Sequence, residues 1–273
     1  MGVAGGGAVC CRMKVFLTLS LSFVLSTTLA VAPIFAQSKM IRRVLFIGSS
    51  TTYWNNMPTW VTKLSEDLGS LPRIEVTDRT VPNAGLHDHV ESTGYWSALD
   101  AIRKGQWDTV ILQGSPREPL DDPSQFFMDA AKLATEVRAT GAEPLLFQSY
   151  AYDQGYYKYA EEPGWGGNNV EMQKRVSEAY TKAAQGIGAR LARAGDAWQW
   201  VLNQNPEIKL YSNDHVHPSA CGSYLMACIY VSLLTGKDPR EASWVPTGTV
   251  TEDEAKVLRA VAWKFAADQD RSR

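Results

Sequence analysis

Cysteine is nearly absent. Four in 273 residues are too few for a disulfide scaffold. Histidine is equally scarce at four, so where those residues sit carries more weight than their number. The chain also lacks an excess of charge of one sign. Its 27 Lys and Arg stand against 29 Asp and Glu, a net charge of −2, without the basic footprint that a nucleic-acid partner requires. No long block of like charges appears, and there is no internal repeat, linker or low-complexity stretch. What is there is ordinary for a globular protein: 45% apolar residues, 21% charged, and 9 Trp, 11 Tyr and 8 Phe, an aromatic content that excludes disorder. The length allows one large domain or two small ones.

The N-terminus reads as an address. Val15 to Val31 is apolar or hydroxylated and uncharged, with Arg12 and Lys14 before it and small residues at Ala30, Ala32 and Ala36 after it. That is the pattern of a secretory signal peptide over residues 1–36, with an uncleaved membrane anchor as the alternative. Met13 starts a more typical signal than Met1 does. Removal of 1–36 takes two cations and no anion, so the net charge becomes −4. It leaves Cys221 and Cys228, seven apart on one expected helix and therefore roughly 10 Å from each other, too far to bridge. Two buried thiols are expected. The remaining 37–273 is expected to be a single domain, secreted or periplasmic, with no stable membrane insertion once the signal is cleaved.

Within it, short aliphatic runs alternate with amphipathic segments. Arg43–Ile47, Thr109–Gln113 and Pro144–Gln148 read as buried strands, and Arg73–Thr77 as a weaker one. Helical periodicity covers Pro58–Leu68, Tyr95–Arg103, Ser124–Ala139, Val170–Ala194, Pro218–Thr235 and Glu252–Ala267. Thr251 and Glu254 form an expected capping box before the last of these. Pro218 suits the first turn of its helix. The alternation predicts a parallel α/β sheet covered by helices on both faces. One segment, 150–169, breaks the rhythm with a Tyr/Gly-rich insertion directly after a strand, where open α/β sheets bind ligands.

Two clusters carry chemistry. The first strand runs into Gly48-Ser49-Ser50-Thr51-Thr52 before a helix, a place where a hydroxyl can act as nucleophile beside free backbone N–H groups, and equally a place for an ordinary N-cap. The second, Asn213-Asp214-His215-Val216-His217-Pro218-Ser219, spaces Asp214 and His217 so that both can face one way on a turn of helix-like backbone. An Asp beside an imidazole fixes its tautomer, which is what a general base for a serine needs.

These blocks resemble those of the SGNH (GDSL-like) hydrolase family, esterases and related hydrolases with a flavodoxin-like α/β/α sandwich. Phe46-Ile47-Gly48-Ser49-Ser50-Thr51-Thr52 is similar to the family's first block, above all to the Gly-Asn-Ser-Phe-Thr version of a bacterial branch. Asp214-His215-Val216-His217-Pro218-Ser219-Ala220-Cys221-Gly222-Ser223-Tyr224-Leu225 is similar to that branch's Asp-x-x-His-Pro-Ser-x-x-Gly-x-Tyr-Leu. The resemblance runs from about residue 43 to about 266 and implies a triad of Ser50, His217 and Asp214, with His215 a bystander and no cofactor. It also implies an oxyanion hole of the Ser50 and Gly85 N–H groups and a third donor. The family's third block carries Asn, whereas this chain reads Leu112-Gln113-Gly114-Ser115-Pro116-Arg117. Gln113 is favoured by chemistry and Ser115 is the alternative by position.

The implied activity is hydrolysis of acetyl or short acyl esters, on a small molecule or a polysaccharide, with Tyr156, Tyr157 and Trp165 of the insertion stacking on sugar rings. Two other readings stay open. His87-Asp88-His89 and His215-Val216-His217 alternate as zinc ligands on strands would, which suits a metal-dependent hydrolase. A non-catalytic carbohydrate-binding protein of the same fold is the other, because Ser49 stands where the family has Asp or Asn. Nothing in the sequence bears on oligomeric state.

Overall fold

The apolar runs pair side by side into one sheet. A computed structural model describes residues 40–270 together with positions 1, 2, 6 and 7. The chain divides after Gln37 into two units, and every element below belongs to the second, Ser38–Arg273. The expected signal, 1–36, lies outside the described residues but for those four positions.

In chain order the elements are β1 (Ile41–Gly48), α1 (Ser50–Tyr53), α2 (Met57–Asp67), β2 (Arg73–Thr80), α3 (Leu86–Glu91), α4 (Ala98–Lys104), β3 (Thr109–Gln113), α5 (Glu118–Asp121) and α6 (Pro123–Ala139). Then follow β4 (Glu143–Phe147), α7 (Asn169–Ile187), β5 (Arg190–Ala192), α8 (Ala194–Gln204), α9 (Ala220–Thr235) and α10 (Glu252–Asp270). The strands lie in the order β2-β1-β3-β4-β5, all parallel, from Ile41↔Arg73 to Gly48↔Thr80 on one side of β1 and from Val44↔Thr109 to Ile47↔Leu112 on the other. This is the flavodoxin-like order, and the carboxyl ends of its central strands deliver Gly48 and Gln113 to one edge.

Period-two alternation fills both layers. Val44, Phe46, Ile111, Leu145 and Phe147 pack with α2, α8, α9 and α10, while Leu45, Ile47, Val110, Leu112 and Leu146 pack with α3, α4, α6 and α7. Each such side chain contributes about 1.5–3 kcal/mol by leaving water. Helix α9 has no polar face. Cys221 to Leu234 is buried throughout, because sheet, α2 and α10 surround it.

Several expectations need correction. The helix expected over Val170–Ala194 ends at Ile187, where Gly188 takes a left-handed φ of 60°, and the chain then forms edge strand β5 and helix α8, neither of which the periodicity separated. Pro218 is not in the first turn of α9. It pairs with Tyr211 in a β-bridge, and Ser219 caps the helix by accepting from the Gly222 N–H at 3.2 Å. The segment expected as helix from Tyr95 begins as a single 3-10 turn over Gly94–Trp96, and α4 starts at Ala98. The Thr251–Glu254 capping box forms, with the Thr251 N–H donating to Glu254 at 2.8 Å. Cys221 and Cys228 are free, buried thiols. Among the described residues, no helix is long and apolar enough to cross a membrane.

Candidate active site

The turn that carries Ser50 is built around a buried amide. Gln113, wholly buried at the end of β3, accepts on its side-chain oxygen from the Ser49 N–H at 2.8 Å and the Thr52 hydroxyl at 2.8 Å. Its NH2 group donates to the Gly114 carbonyl at 2.6 Å. The turn closes so tightly on this amide that a Cβ on Gly48 would lie 2.5 Å from its oxygen, which is why the position is glycine. Ser49 stands as the extended residue before α1, and its side chain makes no capping bond. Ser50 is the first residue of α1, so its N–H has no intrahelical acceptor.

The Asp-His loop meets this turn from α9. The Asp214 carboxylate takes the Val216 and His217 N–H groups on one oxygen, at 3.0 and 2.9 Å, and the His217 Nδ1 on the other at 2.6 Å. His217 Nε2 lies 2.8 Å from Ser50 Oγ. The sequence spacing thus works through a side-chain-to-backbone turn rather than a helical one. Burial acts to raise the Asp214 pKa, but the bonds from the His217 ring and the two N–H groups together hold it below the ordinary carboxylate value.

Neighbours fix the ring. Trp54 stacks on His217 with centroids 4.0 Å apart and planes 12° from parallel. Asn55, at a left-handed φ of 55°, donates to the Pro218 carbonyl at 3.2 Å and to Ser223 Oγ at 2.9 Å, which ties the nucleophile loop to the start of α9. His215 is no idle neighbour of Asp214 and His217. Its Nδ1 lies 2.7 Å from Asp153, and the Asp153 N–H donates to its carbonyl at 2.9 Å, so the insertion holds the triad loop at two points. Neither Trp54 nor Asn55 carries a motif that would have singled it out in the sequence.

The expected oxyanion donors are largely committed elsewhere. The Gly85 N–H, at the start of α3, donates to Asp88 at 2.8 Å. Gln113 does not present its amide to the site, since its NH2 faces the Gly114 carbonyl and its oxygen shapes the turn. The Ser115 N–H donates to Glu118 at 2.7 Å. Glu118 also accepts from the His87 N–H at 3.3 Å, and a Cβ on Gly85 would lie 2.0 Å from its carboxylate. Burial pushes the Glu118 pKa up to about 7 against the pull of these N–H groups, with the Asp88 charge adding to the rise. No sequence signal separates Glu118 from the acidic residues around it.

The remaining expectations are redistributed. Trp165 is 3% exposed and donates through Nε1 to Asp121 at 2.8 Å, so its faces are closed to a sugar ring. Tyr156 is half-buried against Tyr152 and Trp165, whereas Tyr157 is 65% exposed. The paired histidines do not converge as ligands. His89 is buried and bonded to the Gly48 carbonyl at 2.9 Å, His87 faces Asp129 at 3.1 Å, and His215 and His217 serve different carboxylates. Among the described residues no group of three or more His, Cys, Asp or Glu side chains is arranged to hold a metal. A groove of about 740 Å³ lies between α7, α8 and the Phe265 end of α10, lined by Lys174, Arg193 and Trp200 but by no residue of the Ser-His-Asp set.

No protein-family model matches the chain, and no curated protein matches it significantly. Solved structures do. An inferred SGNH hydrolase from Slackia heliotrinireducens is 28% identical with a TM-score of 0.61, over 72% of this chain and 100% of that one. A DUF4886 family protein from Bacteroides uniformis superposes with a TM-score of 0.69 at 18% identity, over 82% of this chain and 94% of that one. An acetyl xylan esterase variant from Geobacillus stearothermophilus follows with a TM-score of 0.53 at 16% identity, over 70% and 93% of the two chains.

Proposed function

We propose that the chain is an SGNH-type hydrolase, an exported serine esterase acting through Ser50, His217 and Asp214. The observation that carries the reading is the continuous relay from Ser50 Oγ to His217 Nε2 at 2.8 Å and from His217 Nδ1 to Asp214 at 2.6 Å. A hydroxyl, an imidazole and a carboxylate in that order and at those distances are what acyl transfer to serine demands.

Ser50 Oγ attacks the ester carbonyl as His217 Nε2 takes its proton, and the imidazolium is held by the Asp214 charge. The oxyanion forms beside the Ser50 N–H, with the Gly85 N–H joining when substrate displaces Asp88, and the Ser115 hydroxyl as third donor. On collapse the C–O bond to the leaving alcohol breaks and His217 returns its proton to that alcohol. Water then attacks the acyl-Ser50 carbonyl with His217 again as base, releasing the acid and restoring the hydroxyl. Only the neutral ring of His217 can take that proton, since an imidazolium accepts nothing.

Acetyl or short acyl groups on carbohydrate are the substrate class we favour. Tyr157 offers an exposed ring on the insertion that clamps the triad loop, and one solved relative of the fold is an acetyl xylan esterase. The export reading rests on the 1–36 pattern. Labelling with a fluorophosphonate probe tests the mechanism. Wild type should be labelled and should hydrolyse nitrophenyl acetate, and Ser50→Ala should do neither. A Ser50→Ala protein with undiminished turnover would sink the proposal.

A further inference from the structure

The two loops from which oxyanion donors are expected are separate in sequence and are joined by one half-buried acid. Glu118 opens the short helix α5, and its carboxylate takes the Ser115 N–H after β3 on one oxygen at 2.7 Å and the His87 N–H of α3 on the other at 3.3 Å. The Leu86 N–H adds a third contact of the same kind. A side chain at Gly85 or Gly114 would displace the carboxylate. A Cβ on Gly85 would lie 2.0 Å, and one on Gly114 2.3 Å, from the carboxylate oxygens. Glycine at 85 and 114 and glutamate at 118 are therefore one fitted set.

We propose that Glu118 is a positioning residue for the oxyanion hole, its ionised carboxylate stapling the Gly85 loop to the Ser115 loop beside the nucleophile. The inference rests on the serine-esterase reading. Its chemistry is direct: an ionised carboxylate offers acceptors to all three N–H groups, and a protonated one turns part of that capacity into a donor. Burial places this change near neutrality, at about 7. The charged and titratable groups around the carboxylate are Asp88 and His87 of α3, Asp121 of α5 with Arg117 and Asp122 flanking it, Asp129 of α6 and the Tyr180 hydroxyl of α7. Acids outnumber bases in that set, and Asp88 adds to the rise. Competence then requires an ionised Glu118 carboxylate as well as the neutral imidazole that takes the Ser50 proton.

The test is the pH profile of kcat and KM on 4-nitrophenyl acetate for the wild-type chain and for Glu118→Gln. In wild type the acid limb of kcat/KM should fall more steeply than a single ionisation allows. In Glu118→Gln the limb should relax to one ionisation, and kcat should drop roughly 10–100-fold with KM within about threefold, the signature of misplaced donors rather than lost substrate contacts. A wild-type limb of single-ionisation slope overturns the proposal without any variant, which covers a Glu118→Gln protein that does not fold. An unchanged kcat in a folded Glu118→Gln also overturns it. Ser50→Ala, run alongside, separates the two levels. If it is inactive while Glu118→Gln behaves as wild type, the staple alone fails, and if it retains full activity the serine mechanism fails with it.

Discussion

Replacing Asp214 with asparagine tests the relay at its far end, and the local geometry sets the size of the effect. One carboxylate oxygen accepts two backbone N–H groups, from Val216 at 3.0 Å and His217 at 2.9 Å, while the other faces His217 Nδ1 at 2.6 Å. An asparagine has one oxygen to offer. Turned toward the backbone it keeps both bonds, and turned toward the ring it sets an NH2 against two N–H groups. At about 1 kcal/mol per bond, the first orientation is favoured by about 2 kcal/mol, a ratio of roughly 30. The NH2 is thereby forced onto Nδ1, which must answer with a lone pair. The ring proton moves to Nε2 and points at Ser50 Oγ, where a base is needed. A triad with its histidine in the wrong tautomer loses roughly 10³–10⁴ in kcat, about 4–5.5 kcal/mol of barrier.

Because both backbone bonds survive, Asp214→Asn should unfold at nearly the wild-type temperature. Asp214→Ala loses the turn as well and should be destabilised by roughly 1–2 kcal/mol. Steady-state hydrolysis of nitrophenyl acetate and a thermal melt on the same samples measure both quantities. An Asp214→Asn protein within tenfold of wild-type kcat would refute the tautomer argument, however stable it proved.

Other outcomes follow from named contacts. Trp54→Ala removes the ring stacked on His217 at 4.0 Å and with it a π-face for the imidazolium, so kcat should fall roughly 5–30-fold while Trp54→Phe recovers most of it. Gln113→Leu leaves the buried Ser49 N–H and Thr52 hydroxyl without their acceptor and should cost roughly 2–4 kcal/mol in chemical denaturation along with most activity. Tyr157→Ala should raise KM on an acetylated polysaccharide and leave hydrolysis of nitrophenyl acetate unchanged, and equal effects on both would remove the sugar-stacking role. Glu118 also links pH to stability. Its folded pKa of about 7 lies above the ordinary 4.5, so the folded state binds the proton more tightly, and the group's contribution is complete below pH 4.5 and is lost as pH rises through 7. Across that window wild type should lose up to about 1.4 kcal/mol per pH unit relative to Glu118→Gln in urea titrations, and parallel curves would contradict it.

The centre of the sheet was legible because its inner strands are buried on both faces and so read as unbroken aliphatic runs. Thr109–Gln113 has the same bounds in sequence and structure, and β1 and β4 differ only at their ends. What periodicity misses is a short edge element whose pattern blends into its neighbours. Strand β5 has three residues, Arg190 to Ala192, between two helices of similar composition, and only the left-handed Gly188 marks the break. The capping box at Thr251 and Glu254 was legible for the opposite reason, since its chemistry is confined to four consecutive residues.

The same distinction runs through the site. Ser50, Asp214 and His217 stand out in the sequence because each sits in a local frame, a strand end or an Asx turn, that is written in adjacent residues. The residues that hold those frames together are polar groups whose partners lie far along the chain: Gln113 to Ser49, Glu118 to His87, Asn55 to Ser223, His215 to Asp153. Gln113 shows how chemistry alone misleads, because an amide can donate or accept and only the fold decides which end faces the turn. Glu118 shows what such placement costs. A carboxylate that burial drives toward neutrality is a poor choice for stability above pH 7, where its charge opposes folding. Its fit against Gly85 and Gly114 therefore serves the geometry of the two loops rather than the stability of the fold.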